Sequence, residues 1–205
     1  RYTPSDCFET FPFPVGFSSR NDFYQQNNQL KMIKVSGKEY YEFRSIVMKE
    51  ENIGLTELFN RLNSPMNSNN NISKLRNLHS QNDKNIIDLY GWNDIDIIFG
   101  FGIDYLNIED EIELPLKLRN EIDKGDLFFL SINEACEFAN KLISILGNKT
   151  KLNWKYRLPN NVRIEILSRL LSLNNDMYVK QEQENQPLTI DKILKEDNSQ
   201  LNINF

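Results

Sequence analysis

The stretch closest in form to a nucleotide or cofactor loop is Phe99-Gly100-Phe101-Gly102, which follows the apolar run Ile95, Ile97, Ile98. A strand feeding Gly-x-Gly lets backbone approach a phosphate or cofactor. A cofactor fold also alternates strands and helices after that loop, and the patterning here is helical, so a bend or turn is the expectation. Glu111, Glu113 and Lys117 offer spaced carboxylates and an amine, the groups a metal-dependent nuclease uses to hold metal and water. A solvated strand face accounts for them more simply. Adenine modification needs an Asn/Asp-Pro-Pro-aromatic loop to hold a flipped base, and no Pro-Pro occurs in the chain. His79 and Asp83 stand one helical turn apart, the spacing of a structural ion pair. Cys7 and Cys136 are far apart, and the lone histidine cannot assemble a zinc site with them. The expectation is therefore no catalytic, cofactor-binding or metal-binding residue in this chain.

Charge bounds the partners. The formal net charge of the 205 residues is −5, whereas phosphate binding calls for a basic face, so any nucleic-acid contact must be local. Two basic groups stand out: Lys31, Lys34, Lys38 and Arg44, then Lys149, Lys151, Lys155 and Arg157. Ordinary solvated lysines explain either group taken alone. The longest apolar runs are too short to span a bilayer, and no basic–apolar leader opens the chain. A cytoplasmic protein with no membrane partner is expected. The first residue is Arg1, as expected of a segment cut from a larger polypeptide or of a processed start.

The elements that would position these groups read mostly as helix. Phe11-Pro12-Phe13-Pro14 excludes helix from the opening, because proline fixes φ and extends its predecessor. A helix is predicted from about residue 21, bent or broken at Ser36-Gly37, with Tyr40, Phe43 and Val47 as its stripe and Gly54 as its end. Leu55, Leu58, Phe59 and Leu62 mark a short helix. Residues 64–71 form a polar loop, and a helix over 72–90 carries Leu75, Leu78, Ile86 and Leu89 until Gly91 stops it. Residues 111–118 and 126–130 suggest two brief strands. Ser131 and Glu134 make a capping box for a helix running to Leu146, with Ala135, Phe138, Ala139 and Leu142 on its face. Residues 152–158 look extended. Asn160 or Asn161 caps a last helix that carries Val162, Ile166, Leu170, Leu173 and Met177. The fold class expected is mainly α: a helical bundle with an extended N-terminal arm and one or two short β-strands in the middle. The arm takes residues 1–20, the helical domain 21–180 with an irregular insert at about 99–152, and a polar tail 181–205.

Several blocks, in order, resemble a known family. Ser5-Asp6-Cys7-Phe8-Glu9-Thr10-Phe11-Pro12-Phe13-Pro14 is similar to the segment closing the target-recognition region of type IIG-like restriction–modification enzymes and related phage-defence adenine-specific DNA methyltransferases. Tyr40-Tyr41 with Arg44, then Gly54-Leu55-Thr56 and Phe59-Asn60, resembles the helical stretch that follows there. Leu75-Arg76-Asn77-Leu78-His79, Asp83, and Tyr90-Gly91-Trp92 with Asp94-Ile95 resemble the next signature. Tyr156-Arg157-Leu158-Pro159, Val162-Arg163 and Leu170-Leu171-Ser172-Leu173-Asn174 are similar to the closing helix. Asn82 departs from the pattern, standing where an apolar residue is expected.

The resemblance implies a non-catalytic C-terminal part of such an enzyme, serving DNA recognition or scaffolding. The S-adenosylmethionine-binding methyltransferase core, the rest of the target-recognition domain and any nuclease would lie upstream. DNA would then be met through the parent enzyme, with Lys31, Lys34, Lys38, Arg44 and Arg76 as phosphate contacts chosen on charge placement. The other reading is a helical brace or protein-interaction module that does not touch DNA.

Overall fold

In the protein, a computed structural model describes residues 11–14, 28–106, 115–124, 127–146 and 152–185. The chain divides into two compact units, Pro14–Glu165 and Arg1–Phe13 with Ile166–Phe205. Of the arm expected at 1–20, only residues 11–14 are described. They are neither helix nor strand, and Phe11 and Phe13 meet edge-on at 5.0 Å between ring centres.

Three helices open the larger unit: α1 (Asn28–Glu50), α2 (Leu55–Asn63) and α3 (Asn70–Leu89). Helix α1 runs unbroken through Ser36-Gly37, contrary to the expected bend. Ser36 is buried, and its hydroxyl accepts from Asn85 Nδ2 at 3.0 Å while donating to the Ile33 carbonyl. A glycine inside a helix costs only about 1 kcal/mol, so this packing overrides it. The chain leaves α1 through Asn52, at φ 49°. Gly54 does not end α1 but precedes α2 in extended conformation. On α3 the Asn69 side chain accepts from the Ile72 amide at 2.8 Å, satisfying one of the open N–H groups of the first turn. Gly91, at φ 76°, ends the helix as expected. Val47, Leu58, Leu62, Ile72 and Leu75 form the helical core. The stripe on α3 rotates slightly from the expected one: Ile87 is buried and Ile86 exposed.

The residues expected to be an irregular insert build a small sheet with two helices: β1 (Gly100–Leu106), α4 (Leu116–Asp123), β2 (Phe128–Phe129) and α5 (Ile132–Leu146), followed by β3 (Leu152–Arg157). The sheet has three strands, one more than expected, in the order β2-β1-β3 and antiparallel throughout. Two corrections follow. Phe99–Gly102 is not a turn; most of it lies in the central strand. Residues 116–118 are helical, which leaves no strand face for Lys117, while Glu111 and Glu113 lie outside the described residues. Phe101, Ile103 and Trp154 point to one side of the sheet and pack with Leu127, Ala135, Ala139 and Leu142. Tyr156 packs against both this core and the helical one.

Helix α6 (Asn160–Asn185) follows Pro159, whose carbonyl accepts from the Arg163 amide. Asn160 is already the first residue of the helix and so does not stand at the cap position; its Nδ2 donates to the Lys124 carbonyl. The fold is thus mainly α with a small central sheet. Among the described residues no helix is long and apolar enough to cross a membrane.

Candidate nucleic-acid interface

The sequence reading brings Arg76 to the surface as a phosphate contact, and the structure does the opposite. Arg76 is 4% exposed. It lies on the inner side of α3 because it stands four residues after Ile72 and beside Leu75, both fully buried. Its Nε donates to the Leu62 carbonyl at 2.9 Å, and Nη2 donates to those of Ser64 at 2.6 Å and Arg61 at 3.3 Å. These carbonyls lie at the C-terminus of α2, where a cation is favoured; those of Arg61 and Ser64 also accept from the Ser64 and Asn67 amides, and that of Leu62 is met by Arg76. The guanidinium also lies 4.8 Å from the Phe101 ring centre and 5.5 Å from that of Tyr156. Burial pushes its pKa down, opposed by Tyr156 and Cys136, yet a guanidinium stays charged. Arg76 is a strut of the fold and offers nothing to a phosphate.

From Tyr156 a row of rings runs outward. Phe99 stacks on Tyr156 at 5.2 Å, His79 meets Phe99 edge-on at 5.6 Å, and Tyr40 lies 6.0 Å from His79. The expected His79–Asp83 pairing is present at 3.9 Å, a long contact. Burial raises the Asp83 pKa and His79 pulls it back. Burial likewise raises Tyr40, which Arg44 lowers and Asp83 raises further. The row collects residues from three of the resembling blocks, so those blocks meet in space as well as in order. Its members are half-buried and stacked on one another, which makes it a wall more than a pocket.

Lys31, Lys34 and Lys38 are all exposed. Their spacing places them on one seam of α1, across the helix from the buried Ser36 and Val47, with the buried Leu30 one turn before Lys34 at the seam's start. No acidic residue occurs in α1 before Glu39. Lys38 approaches Glu42 at 3.7 Å, an exposed pair of little strength. Arg44 stands apart from the lysines, its guanidinium 5.8 Å from the Tyr40 ring and 5.3 Å from the Tyr41 ring. Of the five candidates the structure therefore groups three, sets Arg44 on the adjoining flank, and buries Arg76. Tyr41, 60% exposed, was missed by charge placement alone. Its position three residues after Lys38 continues the lysine seam and was the available signal.

Of the second basic group, Lys155 and Arg157 are described. Lys155 is exposed, but Arg157 is buried and pairs through Nε with Asp104 at 2.9 Å, off the alignment of a good hydrogen bond. Lys149 and Lys151 lie outside the described residues. The Arg157 guanidinium fills the space over Gly102, where a Cβ would meet it at 2.6 Å, and Gly100 faces Phe128 and the Phe129 carbonyl. The two glycines thus admit neighbouring strands, and no room is left there for a cofactor phosphate.

A cleft of about 320 Å³ opens past the end of α3, lined by Lys84, Asp88, Asn93, Asp94, Ile95, Asp96 and Ile97. Its acidic lining repels phosphate. Among the described residues no group of three His, Cys, Asp or Glu is placed to hold a metal ion. Cys136 is a free thiol there, half-buried, 3.5 Å from the Pro65 carbonyl. No protein-family model, curated protein or solved structure matches the chain.

Proposed function

We propose that the chain is the non-catalytic DNA-recognition and scaffold part of an adenine-specific DNA methyltransferase or restriction–modification enzyme. The observation that carries the reading is the exposed lysine seam of α1, three ammonium groups held on a rigid helix whose other face is locked to α3. Ammonium groups on such a face position phosphates without reading sequence. The meeting of three resembling blocks in one ring row supports the family side of the proposal. In this reading S-adenosylmethionine and the reacting base belong to the upstream methyltransferase core, and the protein works in the cytoplasm. This chain contributes rigidity and a hold on the backbone.

Titrating a labelled duplex at a series of salt concentrations tests it. Three phosphate contacts give a slope of log K against log salt of about −2.7. A flat dependence, or no binding at low ionic strength, removes the DNA role. The brace reading then stands, favoured by the burial of Arg76 and by the acidic cleft.

A further inference from the structure

Lys31, Lys34, Lys38 and Tyr41 follow one another at spacings of three, four and three residues, so they share a seam of α1. At 1.5 Å per residue the seam covers about 15 Å. Its first three members end in ammonium groups, and the fourth presents a ring that is 60% exposed. The Arg44 guanidinium backs that ring at 5.3 Å from its centre. Ser45, one turn further along, is tied to the Tyr41 carbonyl at 2.8 Å and closes the row. Positive groups leading to an exposed aromatic form the pattern that tracks a backbone and stacks a base.

We infer that this seam takes a single strand of DNA, with phosphates on Lys31, Lys34 and Lys38 and one unpaired base stacked on Tyr41. The inference rests on the DNA reading above and narrows it. A continuous duplex satisfies the lysines but gives Tyr41 no base face, since every base is already stacked within the helix. A strand with unpaired nucleotides satisfies both. The preference should therefore reside in Tyr41 and the general affinity in the lysines. The exposed Lys38–Glu42 pair is no obstacle, because a phosphate can displace a carboxylate held that weakly.

The test compares the full chain with labelled single strand, continuous duplex and gapped duplex at low ionic strength, by fluorescence anisotropy. Single strand and gapped duplex are expected to bind about 10-fold tighter than continuous duplex. Tyr41→Ala should abolish that ratio with little change on continuous duplex, and Tyr41→Phe should keep it, because stacking needs the ring and not the hydroxyl. Equal affinity for all three probes, or a ratio that Tyr41→Ala leaves intact, overturns the inference while the DNA reading survives. Loss of the ratio in Tyr41→Phe as well overturns the stacking role in favour of a hydroxyl–phosphate bond. Failure to bind any probe overturns both.

Discussion

The Arg76 Nη2 atom donates to the Ser64 carbonyl across 2.6 Å, joining the middle of α3 to the residue that follows α2. Three carbonyls and two aromatic rings converge on this one side chain, from α2, β1 and β3. A residue that reads as a surface cation thus fastens the helical core to the sheet. In the proposed DNA reading, the phosphate contacts are left to α1.

Removing that strut should be costly. Arg76→Met keeps much of the volume but leaves the Leu62 carbonyl unsatisfied and removes the charge-assisted bonds to Arg61 and Ser64, a loss of about 3 kcal/mol. Arg76→Lys should recover only part, since an ammonium lacks the planar fork. Urea unfolding of both variants checks this. Equal stability of Arg76→Met and wild type would contradict the strut.

The glycines separate by role. Gly100→Ala would drive a Cβ into the Phe129 carbonyl oxygen, which is backbone and cannot rotate away. Gly102→Ala would displace the Arg157 guanidinium and its pairing with Asp104. Each should destabilise by about 1–3 kcal/mol. Gly37→Ala meets nothing within 4 Å in the middle of α1 and should stabilise by about 0.5–1 kcal/mol. Thermal unfolding of the three variants reads the signs.

Most helices were legible because their apolar residues recur at helical spacing. Leu58 and Leu62 on α2, and Ala135, Ala139 and Leu142 on α5, are buried as their spacing implies. What escaped depends on partners distant in sequence. Phe99–Gly102 looks like a turn until Phe101 is seen opposite Phe129 on one side and Tyr156 on the other. Gly100 and Gly102 are permissive in isolation, and only the neighbouring strands disclose why they lack side chains. Arg76 shows a different failure. Its place beside Leu75 on the buried stripe is visible in the sequence, and here position outweighs charge. The lysine seam was legible as a cluster, whereas its continuation through Tyr41 needed the exposure of that ring.

Asp83 should leave a trace in the pH dependence of stability. Burial raises its folded-state pKa above the ordinary carboxylate range, against the pull of His79. The folded state then holds the proton more tightly than the unfolded one. Stability should fall as pH rises from the unfolded pKa through the folded one. The side chain is 40% exposed, so water screens much of the effect. Asp83→Asn should flatten the slope in that window; an unchanged slope assigns it to other carboxylates.

Tyr156 touches both cores, and its loss should loosen them together. Tyr156→Ala is expected to cost about 2–3 kcal/mol, less than truncation of a wholly buried aromatic because this ring is half-buried. In a double-mutant cycle with Arg76→Met it should couple by about 0.5–1 kcal/mol through the cation–ring contact. Strict additivity in denaturant unfolding would dissolve that link.

The lysine seam is tested most directly by replacing Lys31, Lys34 and Lys38 with alanine and titrating the triple variant beside wild type with labelled duplex at a series of salt concentrations starting from low ionic strength. All three residues are exposed, so circular dichroism and unfolding should match wild type. The expected result is affinity lost by at least about 10-fold, with the salt slope reduced by about 2.7. Undiminished affinity with an unchanged slope would contradict a DNA contact on this helix.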